Sequence, residues 1–170
     1  MKDAIHAEGV ITIILKKDNR EVGRKIVKNT VVDSGFENLT NALLDATAKT
    51  QIGQIHIGIG GVNGNGTTIK LPDPDQTHLY HELTIRGQAF VTPTLTAYHL
   101  IDPNFYGVRS QISISSADVD YPPDIEDQHI NEMLLATTEG KTISIATFAN
   151  IPFANSSNLT ITFNWDIKLK

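Results

Sequence analysis

The 170-residue chain is long enough to bury a full core without covalent staples, and an apolar content of 40% places it among folded sequences. It contains no cysteine, which excludes disulfides, thiolate nucleophiles and cysteine-based zinc sites together. A net charge of -5 and a pI near 5.6 argue against a duplex-binding surface, since phosphate contacts need clustered Lys and Arg.

Met1-Lys2-Asp3-Ala4 opens the chain without an apolar leader, and no apolar run approaches membrane-spanning length. The expectation is synthesis in the cytoplasm, with neither membrane nor nucleic acid as partner. The N-x-Ser/Thr matches at Asn38, Asn155 and Asn158 then carry no glycosylation meaning.

Val10 to Leu15, a turn at Asp18-Asn19 and a return from Val22 to Val32 predict a β-hairpin. Lys16, Lys17, Arg24, Lys25 and Lys28 cluster around it and are read as a solvated strand edge. Ser34 followed by Glu37 has the spacing of a capping box. Phe36, Leu39, Thr40, Leu43 and Leu44 then form one helical stripe, so a helix is expected near residues 34–47. Gln54 to Ile59 reads as a short strand running into a Gly/Asn loop, and Pro72 and Pro74 exclude regular structure between Leu71 and Gln76. Strands are predicted at Leu83–Thr92, Tyr106–Ser115, Ile130–Thr137 and Thr142–Ala149, with Glu139-Gly140 turning between the last two. Asp118 to Asp127, with Pro122 and Pro123, reads as an exposed acidic loop. The clearest signal is last: Leu159, Ile161, Phe163, Trp165, Ile167 and Leu169 alternate with polar residues, as in a strand with one buried face.

No motif for chemistry is complete. Gly61-Val-Asn-Gly-Asn-Gly66-Thr67-Thr68 has P-loop spacing, but Thr67 stands where a lysine must meet the phosphates, and a Pro-rich stretch replaces the helix. Gly58-Ile-Gly60 lacks the third glycine and the βαβ setting of a dinucleotide site. His78, His81 and Glu82 form H-x-x-H-E and not the zinc-helix order, and His56 and His99 could join them only through the fold. Asp73 and Asp75, or Asp118, Asp120, Asp124 and Asp127, could supply calcium oxygens but lack the EF-hand sequence. No G-x-S-x-G elbow is present. The reading is therefore a non-enzyme with no catalytic residue, no metal site and no cofactor. Trp165 lies on the alternating apolar face and belongs to the core, whereas Tyr98, Phe105, Tyr106 and Tyr121 fall in or near loops and are candidates for a partner or glycan contact.

Five segments also carry a family likeness: Val27-Lys-Asn29-Thr-Val31-Val-Asp-Ser-Gly35, Ile55-His-Ile57-Gly-Ile-Gly60-Gly, Leu79-Tyr-His-Glu-Leu83, Ile130-Asn-Glu132-Met-Leu-Leu135 and Leu159-Thr-Ile-Thr-Phe-Asn-Trp165-Asp-Ile167. In that order they resemble tailed-bacteriophage virion proteins of the tail-collar, neck-fibre and related tail- or head-attached kind. The Ile59–Gly64 loop and the Asp118–Asp127 insertion depart from that pattern. The resemblance implies a virion structural protein, homo-oligomeric and assembled with other virion proteins, and it transfers no catalytic residue. A carbohydrate- or receptor-binding module, with a host glycan as partner, is the alternative.

The fold expected is mostly β: an antiparallel, jelly-roll-like β-sandwich of about seven or eight strands with the one helix packed on it. It would form a single domain over 1–170, with 1–28 readable as an extended hairpin arm. That arm, nominally Ala4–Lys28, could add a strand to a neighbour's sheet or pair inside its own domain.

Overall fold

The computed structural model describes residues 7–35, 37, 51–64, 66–97, 101 and 106–169. Period-two alternation leaves a strand one apolar face to bury, and two sheets bury those faces against each other. Among the described residues eleven strands follow in chain order: β1 (Ala7–Lys17), β2 (Arg20–Lys28), β3 (Thr30–Val31), β4 (Ile52–Gly58), β5 (Glu82–Ile85), β6 (Thr94–Ala97), β7 (Tyr106–Ser115), β8 (Val119–Asp120), β9 (His129–Thr137), β10 (Thr142–Pro152) and β11 (Leu159–Leu169). They form a five-stranded sheet in the order β2-β1-β11-β7-β6 and a six-stranded sheet in the order β3-β10-β9-β4-β5-β8. Every pairing is antiparallel. The protein is a β-sandwich, as its alternation predicts.

The alternating C-terminal segment is the middle strand of the five-stranded sheet. β11 pairs with β1 from Ala7↔Leu169 to Lys17↔Leu159, and with β7 from Thr160↔Ser115 to Leu169↔Tyr106. Ile161, Phe163 and Trp165 thereby share one interior face with Ile11, Ile13, Ile112 and Ile114. Ile55, Ile57, Met133, Leu135, Phe148 and Phe153 meet them from the six-stranded side. Each such side chain contributes about 1.5–3 kcal/mol when fully buried. Ser110, directly across from Trp165, is also fully buried. Its hydroxyl and the Trp165 indole nitrogen have no protein hydrogen-bond partner among the described residues.

The six-stranded sheet is covered on its far face too. Val32, Leu79, Leu134, Ala136 and Ile145 form a second apolar cluster there. β9 is consequently buried on both sides, which explains why Met133–Ala136 reads as a continuous apolar run and not as an alternation. The Pro-rich stretch supplies backbone cover: Thr147 donates to the Lys70 carbonyl, Thr142 Oγ1 donates to the Thr77 carbonyl at 2.6 Å, and Asp33 N–H donates to the Pro74 carbonyl at 2.8 Å.

Several local features differ from the expectations. The strands are more numerous because β3 separates from the predicted return, and β6 and β8 span only four and two residues, too short for a periodic signal. The predicted Leu83–Thr92 strand stops at Ile85, where Arg86 and Gly87 (φ 52° and 72°) turn the chain back and Gln88 bridges Ile85. The Val22–Val32 return divides at Asn29: β2 stays in the five-stranded sheet and β3 joins the other. The hairpin, readable either as an extended arm or as pairing inside its own domain, has β1 built into the sheet along its whole length, with β2 outermost. Its two-residue turn, Asp18-Asn19 with φ 51° and 63°, has the left-handed pair that a tight hairpin requires. Asp33, Ser34, Gly35 and Glu37 have helical backbone, while the rest of the expected 34–47 helix lies outside the described residues. Ser34 does not act as the expected cap: the helical backbone already includes Asp33, and the Ser34 hydroxyl donates to the Thr142 carbonyl at 2.7 Å.

Two substitutions separate packing from polarity in this core. Phe163→Ala is expected to lower the unfolding free energy by about 3–5 kcal/mol. Ser110→Ala, which removes an unpaired buried hydroxyl, is expected to be neutral or to stabilise by about 1 kcal/mol. Urea unfolding midpoints at matched slope measure both.

Candidate functional site

Glu132 is the one Asp, Glu, Lys or Arg in β9, and it is fully buried. With Met133 and Leu135 turned to the core, the alternation puts Glu132 on the far face of the six-stranded sheet. There its Oε1 accepts from the backbone N–H of Gly60 and of His81, both at 2.7 Å, and its Oε2 accepts from the Tyr80 N–H at 2.9 Å. Asn131 repeats the device: its Oδ1 accepts from Gly61 N–H at 2.7 Å and its Nδ2 donates to Asn150 Oδ1 at 2.9 Å. Ile59 N–H donates to the His81 carbonyl at 2.9 Å, closing the base of the 60–81 excursion. Sequence reasoning missed Glu132 as a site. The available signal was a single acid set among apolar residues of a strand.

The glycines of Gly58-Ile59-Gly60-Gly61 exist for this approach and not for a phosphate. A Cβ at Gly60 would overlap Tyr80 and the His81 nitrogen, and one at Gly58 would overlap the His81 carbonyl and the Glu132 carboxylate. Burial pushes the Glu132 carboxyl above the ordinary carboxylate range, although the amides of His81, Tyr80 and Gly60 and the charge of Lys70 pull it back. Lys70 holds its ammonium 4.5 Å from the centre of the Tyr80 ring. Three segments far apart in sequence, 55–61, 79–83 and 130–135, therefore meet at one carboxylate.

Among the described residues the histidines do not converge on a shared metal site. His56 Nδ1 meets the Glu82 carboxylate, its Nε2 lies 3.2 Å from Gln54 Oε1, and its ring stands 5.7 Å from that of Phe90. His78 and His81 are exposed on the loop, and His99 lies outside the described residues. Among the described residues no three His, Cys, Asp or Glu side chains are placed to share a metal ion.

The acidic loop divides into used and presented carboxylates. Asp118 pairs with Arg86 at 2.9 Å. Asp120 accepts from Gly87 N–H at 2.7 Å and from Thr84 at 2.9 Å, and the Gly87 amide holds its carboxyl below the usual range. Asp124, Glu126 and Asp127 face solvent, and Asp73 and Asp75 are likewise exposed around a turn in which Gln76 N–H donates to the Asp73 carbonyl. Of the loop aromatics, Tyr121 packs against the core and donates its hydroxyl to the Phe153 carbonyl at 3.1 Å, and burial pushes its phenol up. Tyr98 and Phe105 lie outside the described residues.

The outer face of the five-stranded sheet carries a ladder of polar pairs between β7 and β11. Arg109 grips Asp166 with two bonds of 2.6 and 2.7 Å, Gln111 donates to Asn164 at 2.5 Å, and Ser113 and Thr162 share a bond of 2.8 Å. Beyond it, β2 exposes Val22 (57%) and Ile26 (68%) among its basic residues. Lys25 instead turns inward, donating to the Ala149 carbonyl at 3.2 Å, and burial draws its ammonium below the usual lysine value. A scan against protein-family models and searches of curated proteins and solved structures found no match for the chain.

Glu132→Gln is expected to destabilise by about 1–3 kcal/mol at neutral pH, because an amide can offer an oxygen to only one side and sets its NH2 against a backbone N–H. Gly60→Ala is expected to cost a similar amount, about 1–3 kcal/mol, through overlap. A carboxyl raised in the folded state binds its proton more tightly there than in the unfolded chain. Its linked stability is thus fullest below the ordinary carboxylate range and falls as pH rises through the folded value. The difference between wild-type and Glu132→Gln unfolding free energies, measured across pH, is expected to show that decline.

Proposed function

We propose that the chain is a non-enzymatic structural subunit of a tailed-phage particle, in its neck, tail, collar-fibre or capsid-decoration layer. It acts through protein–protein assembly with copies of itself and with other virion proteins, and resides in the virion after synthesis in the host cytoplasm. The observation that carries this reading is how the polar groups are spent. Glu132, Asn131, Asp118, Asp120 and the His56–Glu82 pair are all tied into internal contacts. Facing outward among the described residues are a hydrogen-bonded sheet face and an apolar-and-basic outer strand, with the acids of the 118–127 loop, the composition of a contact surface. The ordered family likeness supplies the particle, and three of its five segments build the clamp that shapes the far face.

The glycan-binding alternative draws less support, because Tyr121 is spent on packing and on the Phe153 carbonyl. Size-exclusion chromatography with light scattering is expected to give a discrete oligomer, and an inert monomer at high concentration would remove the assembly reading. Neighbouring reading frames encoding portal, tail or capsid proteins are expected, and metabolic neighbours would remove the particle.

A further inference from the structure

Two segments of opposite charge stand at opposite lateral edges of the sandwich. Residues 16–28 hold six of the chain's fourteen Lys and Arg (Lys16, Lys17, Arg20, Arg24, Lys25 and Lys28) against two acids, Asp18 and Glu21. Residues 118–127 hold five acids, Asp118, Asp120, Asp124, Glu126 and Asp127, and no Lys or Arg. β2 ends the five-stranded sheet on the side that lies over β10 and β3, where Lys25 reaches Ala149. β8 ends the six-stranded sheet on the side away from β3. β2 and β8 are each the last strand of their sheet, so each presents a charged edge that a second molecule can meet.

We infer that copies of this chain associate head to tail, the basic β1–β2 hairpin of one copy docking on the acidic 118–127 segment of the next. This deepens the assembly reading above and rests on it. The hairpin presents Lys17, Arg20 and Lys28 to solvent beside exposed Val22 and Ile26. The acidic segment presents Asp124, Glu126 and Asp127 beside Pro123 and the half-buried Ile125. Each surface thus pairs charges with apolar area. The acidic loop is also ordered in advance: Ile125 N–H donates to the Pro122 carbonyl, Tyr121 is fixed to Phe153, and Gln128 Oε1 accepts from Asn155 N–H. A loop that need not be frozen on contact binds more tightly.

Self-pairing of two β2 edges is disfavoured. In the fully overlapped antiparallel register Arg24 would face Arg24 and Arg20 would face Lys28, and like charges directly opposite destabilise a sheet. Lys25, turned inward, further blunts the edge. A head-to-tail contact uses different patches on the two copies, so it closes into a ring or continues as a fibre.

The test uses the full chain in two triple variants, Asp124→Lys/Glu126→Lys/Asp127→Lys and Lys17→Glu/Arg20→Glu/Lys28→Glu, studied alone and mixed by analytical ultracentrifugation at low and high salt. Wild type is expected to associate less at high salt. Each variant alone is expected to lose about tenfold or more in self-association, and the equimolar mixture to regain it, since every contact in the mixture again joins opposite charges. That recovery also shows that both variants are folded. An oligomer unaffected by either reversal, or a mixture that does not recover, overturns the head-to-tail contact and leaves the assembly reading standing. A wild type that remains monomeric overturns both. Binding of duplex DNA that is lost with the hairpin variant, while self-association persists in that variant, assigns the basic hairpin to a polyanion and overturns the inference.

Discussion

A carboxylate with no solvent-exposed surface is tolerable only where donors replace the water it has lost. At Glu132 those donors are three backbone N–H groups from two stretches twenty residues apart in sequence, Gly60 on one side and Tyr80-His81 on the other. The consequence is geometric. Both ends of an excursion too rich in Pro and Gly to form regular structure are fixed to one point of β9. The intervening backbone then lies across β10, where Thr142 and Thr147 capture its carbonyls. Removing the carboxylate would leave three N–H groups without this acceptor, and the cover over Leu134, Ala136 and Ile145 would lose its anchor.

The two sheets manage their outer faces by different means. The six-stranded sheet buries its far side under a backbone cover, and the five-stranded sheet keeps a polar ladder in which three β11 side chains are matched by β7 partners: Asp166 by Arg109, Asn164 by Gln111, Thr162 by Ser113. Asp166 is buried, so its two-pronged bond with Arg109 compensates a real desolvation. The sheet margins differ as well: β3 and β8 are two residues long and β6 is four, whereas β2 runs for nine residues. The longest margin is the one carrying most of the local positive charge, with one lysine folded inward.

Much of the framework was legible in the residues. β7 and β11 match their predicted limits, because long uninterrupted alternation has a single structural solution. The hairpin turn at Asp18-Asn19 was equally legible, since those two residue types tolerate left-handed backbone. The break at Arg86-Gly87 was not: arginine rarely takes positive φ, so its neighbours read as one continuous strand. The buried clamp was hidden for another reason. A lone acid in an apolar strand carries no spacing signature, and its three ligands are backbone groups that any residue could provide. The Gly58–Gly61 run was visible, but its meaning lay in Tyr80, His81 and Glu132, which the linear chain places far away. His56 and Glu82 likewise meet only because β4 and β5 are neighbours.

The pairing of β1 with β11 has a consequence for how the molecule comes into being. Residues 7–17 pair with β2 on one side and find their second sheet partner in residues 159–169. During synthesis β1 must therefore wait for this partner, with Ile11 and Ile13 incompletely covered, until residues 159–169 have been made. Contacts of such separation slow folding, because the loop entropy is lost before the pairing is gained. The nascent chain is an open clasp throughout that interval, vulnerable to the wrong strand until β11 arrives to shut it.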